Sequence, residues 1–298
     1  MKKKHFVGAV RPYDLHNPRV RVGYALMTAI CVVIALVAIM PVLWVLLSGF
    51  KELKEFNRGV KGTDNRYYLQ LLPASFSLDG YLDTWNQMKY VRYYLNSLAV
   101  VAGSVVCAVL FNGLLAYGIS RLKPRGWKVV WALIMGTLMV PATTSIVPLF
   151  INITRLGLGG SFLPLWMSMG ASAFYVVLFK NFYDAMPGSL LEAARLDGCD
   201  HWQLFFRIVL PLSMPINIVI VIYAVNAAWS DFLLPYLVLG GTKLETVMVR
   251  LFTYRTSDRV NNMDIIRAIV FSIIPPIVLF IAFQRQITQN VISAGIKG

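Results

Sequence analysis

Charge is scarce in this 298-residue chain and lopsided where it occurs: 14 Asp and Glu stand against 28 Lys and Arg, and together they make up 14% of the residues. Soluble domains carry nearer a quarter, so an ordinary water-facing surface is excluded. Histidine and cysteine are equally sparse, at three each. His5, His16 and His201 lie outside every long apolar run and no His-Glu-x-x-His helix occurs, which removes the usual zinc-hydrolase arrangement. Cys31 and Cys107 sit inside apolar runs and Cys199 in a polar segment, a spacing that fits neither a disulfide framework nor metal-ligand pairs. They read as packing residues. The chain also lacks a Gly-x-x-x-x-Gly-Lys-Ser/Thr loop, the cradle of backbone N–H groups and lysine that ATP hydrolysis requires. No catalytic residue, no metal and no bound cofactor is therefore expected.

What the chain has instead is apolar length. It is 57% hydrophobic, with a mean hydropathy of +0.63. Six runs, at residues 22–50, 93–120, 129–151, 162–179, 212–239 and 265–283, reach the roughly 20 residues that a ~30 Å hydrocarbon core demands. The expected class is an all-α membrane protein with six transmembrane helices. The first run is too long for a signal peptide and no small-residue cleavage site follows a short core, so it reads as an uncleaved span. Lys2, Lys3, Lys4, Arg11, Arg19 and Arg21 precede it, and Arg121, Lys123, Arg125 and Lys128 follow the second run, whereas the short loop after the third holds only Arg155. That bias places the N-terminus, the second loop and the fourth loop in the cytoplasm, and an even number of spans returns the C-terminus there.

The net charge of +14 and pI near 9.8 do not point to nucleic acid, because the basic residues are spread over both sides of the membrane. Solvated loops and anionic lipid account for them. The expected layout is a basic tail (1–21), a first span (22–50), an extracytoplasmic loop (51–92) with a short amphipathic helix near 81–88, a core domain (93–285) and a cytoplasmic tail (286–298). No internal repeat is visible.

Residues 187–211, inside the core domain, form a polar segment between two spans. Pro187 and Gly188 end the helix before it, and Ser189 followed three residues later by Glu192 fits a capping box, which predicts a short helix starting at Ser189. Ala193 and Ala194 keep that helix narrow, Leu190, Leu191 and Leu196 supply apolar contacts, and Gly198 offers a left-handed stop. Spacing alone leaves two readings: a helix that fits a groove on another protein, or one that lies on lipid headgroups.

Glu192, Ala193, Ala194, three residues, Gly198, nine residues, Ile208, one residue, then Leu210 and Pro211 resemble the EAA loop of ABC importer permeases, with every fixed position filled. Further segments resemble the MalG-like carbohydrate-uptake branch of that family: Tyr94-Leu-Asn-Ser-Leu at the second span, Glu192-Ala-Ala-Arg-Leu-Asp-Gly, Trp229-Ser-Asp-Phe-Leu late in the fifth span, and the ending Ile292-Ser-Ala-Gly-Ile-Lys-Gly. Ser230 and Asp231 depart from that branch's usual Asn and Glu. The resemblance implies a type I ABC importer permease fold in a bacterial inner or plasma membrane. It implies that Glu192, Ala193, Ala194, Asp197, Gly198, Ile208, Leu210 and Pro211 form a coupling helix and its link to the fifth span. It further implies two ABC ATPase subunits that hold ATP and Mg, a second homologous permease, and an extracytoplasmic solute-binding protein delivering a sugar, probable contacts for the last being the outer loops 51–92, with their tip at 59–65, and 240–264.

Polar residues inside apolar spans are candidates for a translocation path, since buried polarity in a membrane is costly. Asp231, Asn226 and Trp229 near the end of the fifth span suit a sugar's hydroxyls and ring faces, and Asn112, Asn152 and Tyr223 are weaker cases. For each, the plain alternative is a hydrogen bond between helices. Arg267 at the start of the sixth span is expected to snorkel or to pair with a carboxylate. Pro141, Pro148, Pro275 and Pro276 interrupt backbone bonding in spans three and six. Two other functions remain open at this point: a permease for a non-sugar solute, and an ion-coupled secondary transporter, which builds its site from broken helices and intramembrane carboxylates.

Overall fold

The computed structural model describes residues 16–58, 60–61, 67–68, 72–256 and 260–295. The first 15 residues of the basic tail and all of the expected loop tip at 59–65 except Val60 and Lys61 lie outside that set. The chain divides into two units, one of Met1–Tyr81 with Asn261–Val270, the other of Leu82–Val260 with Phe271–Gly298.

In the first unit, α1 (Pro18–Ser48) is the first span. It starts four residues before the apolar run because Pro18 is preset for a first helical position and the Asn17 side chain accepts from Arg19 N–H at 3.0 Å. Its 31 residues extend about 46 Å, longer than the hydrocarbon core, so the helix tilts or projects. Its C-terminal end is answered by Arg267, whose guanidinium donates to Gly49 O at 2.9 Å and Lys51 O at 3.2 Å while pairing with Asp264 at 3.5 Å. Of the two roles expected for Arg267, pairing is the one observed. The fit leaves no room for a side chain at Gly80, where a Cβ would lie 2.2 Å from the guanidinium carbon. This unit also holds α2 (Leu53–Arg58) and a two-residue antiparallel pair, β1 (Val60–Lys61) with β2 (Tyr67–Tyr68). That pair is the only sheet among the described residues. The amphipathic helix expected near 81–88 is α3 (Asp79–Met88), opened by Ser77, whose Oγ accepts from Asp79 N–H at 3.1 Å.

The second unit is built on α4 (Tyr90–Tyr117). Ser97, Val101, Ser104, Ala108, Asn112 and Ala116 recur every three or four residues and are all buried, a stripe narrow enough for neighbouring helices to approach closely. At Gly103 the approach is closest: a Cβ there would sit 2.3 Å from the Trp166 indole, whose Nε1 donates to Ala99 O at 3.2 Å.

The third span is not the single helix that 129–151 suggested. It consists of α5 (Trp127–Thr137) and α6 (Ala142–Arg155), which meet at 107°. Pro141 sits at the break, where it has no N–H to continue the ladder and bars helical geometry from the residue before it. Pro148, Pro275 and Pro276 lie within continuous helices and cause no such break. The fourth span is likewise two pieces, α7 (Leu163–Gly170) and α8 (Ala173–Ala185), bent by 42°. After α8 come the polar segment, then α12 (Met214–Ser230) and α13 (Leu233–Leu239) of the fifth span, α14 (Val247–Arg255), and α15 (Asn262–Gly295). α15 continues far past residue 283, so most of the expected C-terminal tail is helix. Among the described residues three helices are long and apolar enough to cross a membrane, and up to six spans result if each bent pair counts as one.

Asn112 holds the break in the fourth span. Its Nδ2 donates to Ala108 O at 2.8 Å and Met169 O at 2.9 Å, and its Oδ1 accepts from Ser172 N–H at 2.9 Å. The side chain is fully buried and all its bonding is spent on backbone. The average interhelical hydrogen bond in a bundle contributes about 0.6 kcal/mol, but Asn112→Leu strands two backbone groups at once and is expected to cost about 1–3 kcal/mol. Denaturant unfolding of the detergent-solubilised protein reads this; a midpoint unchanged from the parent would show that Asn112 does not hold the break.

Candidate functional site

The polar segment folds as a helix–turn–helix. α9 (Gly188–Leu196) begins one residue before the expected Ser189, with Pro187 at the N-cap and no side-chain cap bond. The expected Ser189–Glu192 capping box therefore does not form: Pro187 fixes the cap position, and Ser189 lies inside the first turn. A capping box does form 11 residues on, where Asp200 Oδ1 accepts from Gln203 N–H at 2.7 Å and Gln203 Oε1 accepts from Asp200 N–H at 3.2 Å, starting α10 (His201–Leu204). The Asp-x-x-Gln spacing at 200–203 carries that signal in the sequence.

Gly198 ends α9 as expected. Its φ is +87°, Gly198 N–H reaches Arg195 O at 3.0 Å and Cys199 N–H reaches Ala194 O at 3.0 Å, the paired bonds of a Schellman stop. A Cβ at Gly198 would meet nothing within 4 Å, so the backbone conformation, and not crowding, selects glycine here.

The two faces of α9 divide sharply. Leu191 and Ala194 are buried in a cluster with Tyr117, Phe179, Tyr183, Leu204, Phe205 and Val209. Glu192, Ala193, Asp197 and Gly198 are exposed, and so are two large apolar side chains on that side, Leu190 at 46% and Leu196 at 89%. Trp202 and Phe206 are exposed as well and stack with ring centroids 6.3 Å apart. Sequence reasoning did not single out these two aromatics, though their adjacency to the motif in a polar segment was available. Exposing such residues costs about 1.5–3 kcal/mol each relative to burial. An apolar rim around a short exposed helix fits contact with another protein or with a membrane surface.

Downstream, α10 passes through a π-helical turn at Phe205–Val209 into α11 (Leu210–Leu212), which contains Pro211. Asn217 Nδ2 on α12 donates to Leu210 O at 2.9 Å, and Ser213 Oγ donates to Val209 O at 2.6 Å, so the loop's end is tied directly to the fifth span. Ile208 and Leu210 are half-buried and Pro211 exposed. The loop and α12 meet at 79°.

The candidates for a translocation path are scattered. Tyr223, Asn226 and Trp229 on α12 line one groove of about 190 Å³ with Pro276, Leu279, Phe280 and Phe283 of α15. That volume is below the range of sites that enclose a ligand. Trp229 is buried, with its Nε1 donating to Ser272 O at 3.1 Å, while Tyr223 packs edge-on against Phe174 at 5.6 Å. Asn152 is exposed on α6, away from that groove, and Asn112 is consumed by the fourth span. Asp231, expected to join Asn226 and Trp229, is the C-cap residue of α12, in the break before α13, and its N–H reaches Ala227 O at 3.0 Å. Among the described residues no group of His, Cys, Asp and Glu could hold a metal.

The comparisons with known proteins bear on the whole chain. The family model described as "binding-protein-dependent transport system inner membrane component" matches residues 16–293. The diacetylchitobiose uptake system permease protein NgcG of Streptomyces coelicolor is 27% identical over 272 residues, 90% of this chain and 87% of that protein. The arabinooligosaccharides transport system permease protein AraQ of Bacillus subtilis is 28% identical over 287 residues, 95% of this chain and 99% of that one. Among solved structures, a bacterial ABC transporter involved in the import of the acidic polysaccharide alginate superposes with a TM-score of 0.77 at 22% identity, covering 90% of this chain and 98% of its own. That likeness extends to the fold.

The left-handed stop at Gly198 yields a direct test. A β-branched side chain at φ +87° is strained by roughly 1–2 kcal/mol, whereas asparagine tolerates the region. Gly198→Val is expected to loosen the turn and raise the maleimide-labelling rate of half-buried Cys199 about fivefold or more, and Gly198→Asn to leave it near the parent rate. Equal rates for all three proteins would remove the turn's dependence on glycine.

Proposed function

Because this chain belongs to the family of binding-protein-dependent transport system inner membrane components, we propose that it forms one half of the pore of an ATP-driven importer that takes up a sugar, most simply an oligosaccharide. The observation that carries this reading is the exposed face of α9: a short helix in the motif's register, stopped by Gly198, with Leu190 and Leu196 turned away from the protein's own core. A membrane-surface helix has the same composition, but the turn into α10 and the stacked Trp202 and Phe206 give this one a shaped, two-sided rim suited to a protein cleft. The partner beneath is a cytoplasmic ABC ATPase, which supplies ATP and Mg that this chain has no loop to bind. Two such ATPases serve two permeases, this chain and a homologous second one. Closure of the ATPases on ATP draws the two α9 helices together and turns the pore outward; release of phosphate lets it reopen inward.

The sugar assignment draws on the relatives named for diacetylchitobiose and arabinooligosaccharide transport. An outer solute-binding protein delivers the sugar to the surface formed by the loops at 51–92 and 240–264. Both termini then lie in the cytoplasm, in agreement with the basic residues that flank the first and second spans.

Broken helices of the kind secondary transporters use do occur, at the third and fourth spans. Neither break carries a carboxylate: Asn112 bonds across one and Pro141 makes the other. Energised membrane vesicles discriminate the readings. Uptake of labelled oligosaccharide is expected to require ATP and the binding protein and to survive ionophores. Uptake that persists without ATP and collapses with an ionophore would contradict the importer reading, and ATP-driven uptake of an amino acid or phosphate ester in place of sugar would overturn the substrate class alone.

A further inference from the structure

The α9 helix is joined through the chain to the fourth and fifth spans, and its displacement would act on more of the pore if it also reached a third. The end of α4 offers that link. Past Tyr117 the helix widens into a π-helical turn at Gly118–Leu122, closed by Lys123 N–H to Gly118 O at 2.9 Å, with Lys123 left-handed at φ 46°. Arg121 lies in this turn, and its Nη2 donates to the carbonyl oxygens of both Tyr183 and Met186. Tyr183 lies in the last turn of α8, where its carbonyl also accepts from Met186 N–H at 3.0 Å, and Met186 is the C-cap residue, immediately preceding Pro187, the cap of α9. A cation at a helix C-terminus is favoured by the dipole as well as by its hydrogen bonds. Beside it Ser120 Oγ donates to Asp184 at 2.5 Å, Lys180 pairs with the same carboxylate at 2.6 Å, and the Lys180 ammonium stands 4.7 Å from the Trp131 ring of α5. The second π turn, Phe205–Val209, packs against the end of α4 just ahead of the first, through the rings of Phe205 and Tyr117, 5.4 Å apart. Tyr117, Phe205 and Val209 all share the buried cluster that holds Leu191 and Ala194 of α9.

We propose that Arg121 is a positioning residue for coupling: it clamps the entry of α9 to the end of the second span, so that movement of α9 is transmitted to α4 as well as to α12. This rests on the docking role assigned to α9 above. A π turn, with one residue more than the α-helix around it, can shift register as a unit and so supplies a discrete movable element. Both bonds leave one guanidinium nitrogen, Nη2, at the end of the arginine stem; a lysine ammonium keeps the charge and the donors but has a shorter reach and no planar group to fix them.

The test uses the complete reconstituted transporter with its binding protein, comparing Arg121→Ala and Arg121→Lys with the parent. With the ATPase still bound, uptake per ATP hydrolysed is expected to fall about tenfold for alanine and by less for lysine, the scale of losing a charge-assisted pair of bonds. A merely structural role would lower the yield of assembled complex without moving that ratio. An unchanged ratio in Arg121→Ala overturns the proposal, and so does loss of the ATPase from both variants, which would make Arg121 a prop for the docking loop. A parent complex whose uptake ignores ATP would instead fail at the reading on which the proposal rests.

Discussion

Backbone groups without a partner are far more costly in hydrocarbon than in water, and the second span answers that constraint for most of what surrounds it. Along α4 and the turn that ends it, several polar side chains bond the backbone of another element. Asn96 donates to Lys243 O and Glu245 O, and Ser97 accepts from Val247 N–H at the start of α14. Asn112 bridges the break in the fourth span, and Arg121 bonds two carbonyls at the end of α8. The break in the fourth span is tolerable because Asn112 of α4 lies beside it. Without that side chain, Met169 O and Ser172 N–H would lose their partner, which would favour a straight helix.

The same economy shapes the coupling loop. One face of α9 is fixed in a core of Tyr183, Leu204, Phe205 and Val209, and that anchoring lets the other face remain apolar and uncovered. A helix of nine residues has little stability of its own. Its persistence depends on Leu191 and Ala194, on the Gly198 stop and on the capped α10 that follows. Rigid attachment on one side and open apolar surface on the other are what a mechanical contact needs, because a floppy helix would absorb displacement instead of passing it on.

Much of this was legible in the residues themselves. Apolar runs located six spans and the motif from Glu192 to Pro211 located the loop, because both signals are local: length against membrane thickness, and small residues at fixed spacing. The left-handed stop was likewise visible at Gly198, since few other residues adopt that conformation. The failures were tertiary or arose between two competing local signals. Ser189 and Glu192 matched a capping box, yet Pro187 took the cap. Hydropathy cannot register a 107° turn, so the third span read as one helix although Pro141 marked the place. For Asn112 and Asp231 polarity in a span had two explanations, a solute or a bond to a neighbouring element, and local sequence does not choose between them; the backbone partners of Asn112 on the fourth span come only from the fold. Arg121 was counted as one positive charge among several in a cytoplasmic loop, and its two carbonyl partners, more than 60 residues away, leave no trace in the local sequence.

The central claim is that the exposed face of α9 seats a cytoplasmic ATPase. The most direct measurement is to purify the tagged chain from its native membrane in mild detergent, identify what accompanies it, and repeat with Leu196→Glu, which places a charge on the most exposed apolar position of that face without touching the core. The account expects an ATPase and a second six-span protein with the parent, and loss of the ATPase alone with the variant at an undiminished yield of this chain. Recovery of the ATPase at parental levels with Leu196→Glu, or of this chain with no ATPase at all, would contradict it.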